Sequence, residues 1–162
     1  MKTNALALKL LSALMAIAVV LGMFAVMPQV TSAVSDNATI DLSENWLGNA
    51  DRTTFWATWE YTQSTHTLYV YDNVTVIGTV AGAAKTLNIR IDSGKKVAWK
   101  ANYSGNTNSY MIRATSKGTL EISTGGSVKN NGSGAAVGST VDDANITVSG
   151  GTVSSGGAAI YY

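Results

Sequence analysis

Two stretches of the chain say nearly the same thing, and the repetition limits what they can fold into. Leu120-Glu-Ile-Ser-Thr-Gly-Gly-Ser-Val128 closes with Gly134-Ala-Ala-Val137, and Ile146-Thr-Val-Ser-Gly-Gly-Thr-Val153 closes with Gly157-Ala-Ala-Ile160. A looser third copy is Leu87-Asn-Ile-Arg-Ile-Asp-Ser-Gly94, followed by Val97. Each reads as alternating apolar residues, a glycine turn, a β-branched residue, a small-residue turn and a further apolar residue. Alternate side chains of a strand point to opposite faces, so Ile146 and Val148 share a dry side while Thr147 and Ser149 share a wet one. Gly150-Gly151 accommodates the positive φ of a sharp bend. Aligned on Ile91, Ile122 and Val148, the copies lie 31 and 26 residues apart, a spacing suited to stacked coils. One coil cannot hide its own apolar side, but stacking buries it, at roughly 1.5–3 kcal/mol for each fully buried aliphatic side chain. The expected fold is all-β, a parallel β-helix (β-solenoid) of about four coils. An antiparallel sandwich is the competing arrangement, because short strands with glycine turns suit it too.

Composition narrows the setting. Residues 1–33 read as a signal peptide: Lys2 and Lys9 precede an 18-residue apolar run, Leu10 to Met27, which Pro28 breaks before the small residues Thr31-Ser-Ala33. An uncleaved anchor is the alternative, since 18 apolar residues reach the lower limit of a membrane-spanning helix. The expected location is secreted or cell-surface, with membrane contact only through that leader if it is retained. The chain has no cysteine, so an exported domain must rely on packing rather than disulfides. Setting aside Lys2 and Lys9 leaves nine basic and ten acidic residues. That balance lacks the basic footprint of a nucleic-acid binder, and no nucleic-acid partner is expected.

Residues 34–48 are polar and short of pattern, and read as a tail or linker. Residues 49–71 read as an aromatic-rich cap or first coil. The aromatic cluster Trp46, Phe55, Trp56, Trp59 and Tyr61 leads to Thr67-Leu-Tyr-Val-Tyr71 across the polar turn Thr62 to His66. Phe55 to Tyr61 and Thr67 to Tyr71 suit two strands of a hairpin, and large rings suit a lid over an open end of the tube. The same rings could form a sugar-stacking platform. Residues 72–162 carry the solenoid repeats, with Asn102 to Ser109 expected to bulge as a polar loop. After Ile160 only Tyr161 and Tyr162 follow. That ending suggests the N-terminal part of a longer protein and edge-to-edge self-association through the last coil.

Reactive chemistry is sparse. His66 is the only histidine, and with no cysteine a zinc site has almost nothing to use. Asp142 and Asp143, with Asn145, are the weak candidates for a cation, although no calcium-loop pattern surrounds them. Glycoside hydrolysis needs two acids on one groove; Asp92 and Glu121 have no companion acid at a matching position. No cofactor is implied, and no catalytic residue is assigned.

The Gly-Gly-x-Val turns, clearest in Ile146 to Val153, resemble those of bacterial secreted right-handed parallel β-helix proteins, the pectate-lyase-like superfold of many surface adhesins. The stretch from Trp59 through Val74-Thr-Val-Ile-Gly78 is similar to the start of such domains in cell-surface proteins described as carbohydrate-binding. The resemblance covers roughly residues 55–162. It implies an exported, non-enzymatic module for adhesion or carbohydrate interaction. One fold hosts many activities, so a polysaccharide lyase or hydrolase and a ligand-free structural stalk are the alternatives. The loop around Trp99, Tyr103 and Tyr110 holds the candidate carbohydrate contacts, and the expected partner is a polysaccharide or cell-surface glycan.

Overall fold

The computed structural model describes residues 38–43, 47, 51–53 and 58–161. The leader reading of residues 1–33 lies outside them, as do Trp46, Phe55 and Trp56. Four short strands come first: β1 (Ala38–Asp41), β2 (Arg52–Thr53), β3 (Trp59–Thr62) and β4 (Thr67–Val70). Four three-strand coils follow. The first holds β5 (Val74–Ile77), β6 (Thr79–Ala83) and β7 (Leu87–Ile91), and the second β8 (Lys96–Trp99), β9 (Asn102–Gly105) and β10 (Ile112–Ala114). The third holds β11 (Thr119–Ser123), β12 (Ser127–Asn130) and β13 (Val137–Ser139), and the fourth β14 (Asn145–Ser149), β15 (Thr152–Ser155) and β16 (Ile160–Tyr161).

Successive coils stack into three sheets. The first runs β1-β5-β8-β11-β14, the second β6-β9-β12-β15, and the third β2-β3-β4-β7-β10-β13-β16. Every strand ladder between coils is parallel, an isolated antiparallel bridge from Ser123 to Gly150 aside; β3 alone is flanked on both sides by antiparallel partners, β2 and β4. The expected β-solenoid of about four coils is therefore the fold.

Strand alternation decides what fills the tube. Ile40, Val76, Trp99, Ile122 and Val148 form one inward column on the first sheet. Val80, Tyr103, Val128 and Val153 form one on the second. Leu87, Ile112, Val137 and Ile160 form one on the third. Equivalent residues Val74, Val97, Leu120 and Ile146 are 23, 23 and 26 residues apart.

The two closest sequence copies are in true register, with Ile122 opposite Val148 and Val137 opposite Ile160. The third copy is not. Leu87–Ile91 belongs to the third sheet, between β4 and β10, and Val97 and Trp99 are what stack on Leu120 and Ile122. Asn102 to Gly105, expected in a bulging loop, is strand β9. Ala38–Asp41, expected in a tail, pairs with β5 and buries Ile40. Trp59 and Tyr61 are turned into the core.

The corners explain the doubled glycines. Gly125 and Gly150 have φ of 89° and 93°, where side chains are disfavoured. Their successors are needed for close approach: a Cβ on Gly126 would lie 2.3 Å from the Trp99 carbonyl oxygen, and one on Gly151 2.6 Å from Ile122 Cγ2. At the next corner Asn130 is buried. Its Oδ1 accepts from the Thr107 and Gly132 amides, both at 3.0 Å, and its Nδ2 donates to the Thr107 and Ala135 carbonyls at 3.0 and 3.1 Å. A buried amide satisfied on both ends fixes the loop between the second and third sheets.

Candidate functional site

With the interior filled by packing, only the outward positions are open to a ligand, and the three faces differ. The second sheet presents Asn102, Ser104, Ser127, Lys129, Thr152 and Ser154, a small polar ladder in which Ser127 Oγ donates to Asn102 Oδ1 at 2.7 Å. The first sheet presents an ionic ladder. Lys96 on β8 pairs with Glu121 on β11 at 2.9 Å, and Glu121 also accepts the Ser149 hydroxyl from β14. Beside this face Lys95 meets Asp72 at 2.8 Å and Lys117 meets Asp143 at 2.6 Å, each pair tying one coil to the next.

These pairings set the charge state of the acids. The Lys95 ammonium and the Asn73 amide hold Asp72 below the usual carboxylate range. Ser149, then Lys96, does so for Glu121, and Lys117 for Asp143. A glycosidase acid must be held protonated near neutral pH; these three are held ionised. Asp143 of the candidate cation pair is thus engaged with Lys117, and among the described residues no three His, Cys, Asp or Glu side chains gather as a metal would require. Nor, among those residues, is any helix long and apolar enough to cross a membrane.

The third sheet carries rings and guanidinium groups. Arg90 lies over the Tyr69 ring with Cζ 5.8 Å from its centroid, and Arg113 Nε donates to Asn88 Oδ1 at 2.8 Å. At the fourth-coil end Tyr110 and Tyr161 stand side by side, centroids 6.1 Å apart and planes tilted by 54°. Gly138 makes this possible. It pairs with Tyr161 on β16, and a Cβ there would lie 2.3 Å from Tyr110 Cε1, so the Tyr110 ring occupies the space a side chain would take.

A cleft opens on each side of the tyrosine pair. One, of about 350 Å³, is lined by Asn108, Ser109, Ser133 and Gly134 as well as the two rings. The other, of about 420 Å³, is lined by Ser139, Thr140, Val141 and Asp142. The arrangement is an apolar ridge bordered by hydroxyl, amide and carboxylate groups.

Of the three aromatic residues singled out in the sequence, only Tyr110 belongs to this ridge. Trp99 is 0% and Tyr103 1% exposed. Both are core residues, and neither offers a face to a ligand while the coils are closed. Tyr161, 56% exposed, is the member of the ridge that sequence reasoning missed. Its signal was the outward parity of β16, legible only once Ile160 was placed inward. No protein-family model, curated protein or solved structure matches the chain. The fold and this surface define the class as a β-solenoid module with an aromatic ridge on one face.

Proposed function

We propose that the protein is an exported module that binds polysaccharide on the third-sheet face, at the Tyr110–Tyr161 ridge, without altering what it binds. The observation that carries this reading is the pairing of two surface tyrosines between clefts lined by hydroxyl and amide groups. Pyranose rings offer apolar C–H faces that stack on aromatic side chains and hydroxyls that hydrogen-bond at their rims. Tyr69 and Arg90 extend the face along the tube, suiting a long ligand better than a single sugar. Export rests on the leader read in residues 1–33.

Affinity electrophoresis through gels containing a panel of polysaccharides tests the reading. At least one polysaccharide is expected to retard the purified chain, and the Tyr110→Ala/Tyr161→Ala double variant to migrate freely. Losing two central rings is expected to cost roughly 2 kcal/mol or more of binding, about thirty-fold in affinity. Retardation that survives the double variant would place binding elsewhere, and release of reducing sugar would favour the enzymatic alternative. The Ser-, Thr- and Asn-rich surface of the second sheet supports a second reading, a structural stalk, which predicts no retardation on any gel.

A further inference from the structure

The basic side chains of the coils fall into two kinds. On and beside the first sheet, Lys95, Lys96 and Lys117 are each neutralised by an acid, at 2.8, 2.9 and 2.6 Å. On the third sheet, Arg90 and Arg113 have no acid partner among the described residues. They stand on adjacent strands two residues out of step, about 8 Å apart at the backbone. Like charges so close repel each other, and only the Tyr69 ring beside Arg90 offsets this.

Arg113 is also held in place. Its Nε donates to Asn88 Oδ1 at 2.8 Å, and Asn88 is itself oriented, because its Nδ2 donates to the Thr65 carbonyl at 3.1 Å. The N–H groups on Arg113 Nη1 and Nη2 meet no acceptor among the described residues. Lys85, Lys100 and Lys129 are unpaired as well, but no hydrogen bond orients their ammonium groups.

Strand register puts this fork beside the tyrosine ridge. Arg113 pairs with Gly138 and Gly138 with Tyr161, and the Tyr110 ring lies over Gly138. Arg113, Tyr110 and Tyr161 thus follow one another along the tube, with neighbouring strands about 4.8 Å apart. We propose that the ridge selects acidic polysaccharide: Arg113, positioned by Asn88, binds a carboxylate or sulfate of the sugar chain that stacks on Tyr110. This rests on the reading of the ridge as a polysaccharide site and adds the charge of its ligand. The guanidinium fork matches the paired oxygens of such a group, which a lysine does not.

The acids of this face leave the fork available. From the row of Asn88 and Arg113, Asp92 is four residues along the strand direction, about 13 Å, and Glu60 is three strands away, about 14 Å. Both exceed the screening length of about 10 Å at 0.1 M salt. Asp92 lies nearer to Arg90, which is why Arg113 carries the assignment. Asp142 lines one of the clefts beside the tyrosines, whereas the cleft holding Asn108, Ser109 and Ser133 has no acid. Like-charge repulsion therefore turns an acidic chain toward the latter.

Affinity electrophoresis of the full chain, in a mild detergent that keeps residues 10–27 solvated, tests the proposal with matched polysaccharides. Carboxymethyl cellulose is set against hydroxyethyl cellulose, and dextran sulfate against dextran, so the pair that discriminates tells carboxylate from sulfate. At least one acidic member is expected to bind about tenfold more tightly than its neutral partner, the worth of one charge-assisted contact, with the gap narrowing as salt rises. Arg113→Gln is expected to abolish the preference. Asn88→Asp, which keeps the arginine but supplies it with a carboxylate from within the chain, is expected to do the same. Lys129→Gln removes an equal charge from the second sheet and is expected to leave the preference intact, which separates a site from simple ion exchange. Circular dichroism confirms that each variant folds. Equal binding of acidic and neutral members, or a preference that survives Arg113→Gln or is lost in Lys129→Gln, would overturn the acidic selectivity and leave the tyrosine ridge standing. Retardation on none of the gels would overturn both.

Discussion

Trp99 and Tyr103 meet edge to face inside the tube, with ring centroids 5.8 Å apart and planes at 90°, although they belong to different sheets. The contact fills the lumen of the second coil. Trp99→Ala is therefore expected to lower stability by about 3–5 kcal/mol, as for other buried aromatic truncations. The indole Nε1 is buried without an acceptor, which itself costs free energy. Trp99→Phe keeps a ring and removes that N–H, so it is expected to be far milder than Ala. Denaturant unfolding of both variants checks the ordering.

Glycines at the corners separate two kinds of constraint. Gly94 has a φ of 76° and open space around it, whereas a Cβ on Gly134 would lie 1.7 Å from the Ser109 carbonyl oxygen of the coil beneath. Gly94→Ala is expected to cost about 1–2 kcal/mol, the penalty of a left-handed non-glycine residue. Gly134→Ala must push two coils apart and is expected to cost clearly more. Comparing their denaturant midpoints is the check, and equal costs would mean that the coils do not approach as closely as described.

The ionic ladder makes stability depend on acid pH. Asp72, Glu121 and Asp143 are held below their ordinary range when folded, so unfolding raises their proton affinity. Their contribution is present above the unfolded-state value, about pH 4, and is lost as pH falls through the lower folded values. Glu121→Gln is expected to destabilise the protein modestly at pH 7 and to have a smaller effect near pH 3. Thermal melts of both proteins at the two pH values measure the difference.

His66 acts in a higher window. It takes a φ of 51° between β3 and β4, its ring packs edge-on to Tyr61 at 5.7 Å, and Nδ1 donates to the Thr86 carbonyl at 2.9 Å. Burial lowers its proton affinity, the Thr86 bond opposes that, and Lys85 adds to the lowering. As pH falls below about 6.5 the unfolded chain takes up a proton that the folded ring resists, so stability falls with acidification. Asn tolerates positive φ and does not titrate, so His66→Asn is expected to flatten the change in melting temperature between pH 7.5 and 5.5. A parallel decline in both proteins would exclude His66 as its source.

The sequence disclosed the fold more readily than the register. Leu120 and Ile146 lie in strands of the same sheet that are each followed by a glycine pair, so their copies align correctly. Leu87–Ile91 carries the same alternation on a different side of the tube, and alternation alone does not say which side a strand occupies. Corner length adds to the ambiguity: Trp99 and Asn102 are three residues apart where their stacked equivalents Ile122 and Ser127 are five. The burial of Trp99 was legible, because it shares parity with Val97 on β8. The ridge was not, since Tyr110 and Tyr161 are 51 residues apart and meet only through stacking.

Gly138 allows ring position to be tested apart from ring presence. The Tyr110 ring rests where a Cβ on Gly138 would project, and Gly138 pairs with Tyr161 in the next strand. Gly138→Ala keeps both tyrosines but lifts Tyr110 off the sheet and changes its angle to Tyr161. If the ridge binds polysaccharide through two rings presented together, this variant is expected to lose roughly 1–2 kcal/mol of affinity, about five- to thirty-fold. The alanine methyl also adds local strain, so its melting temperature is measured beside the binding. Weakened binding by a chain that remains folded at the assay temperature would tie recognition to the geometry of the pair. Unchanged binding would mean that the rings act separately or that the ligand contacts another part of the face.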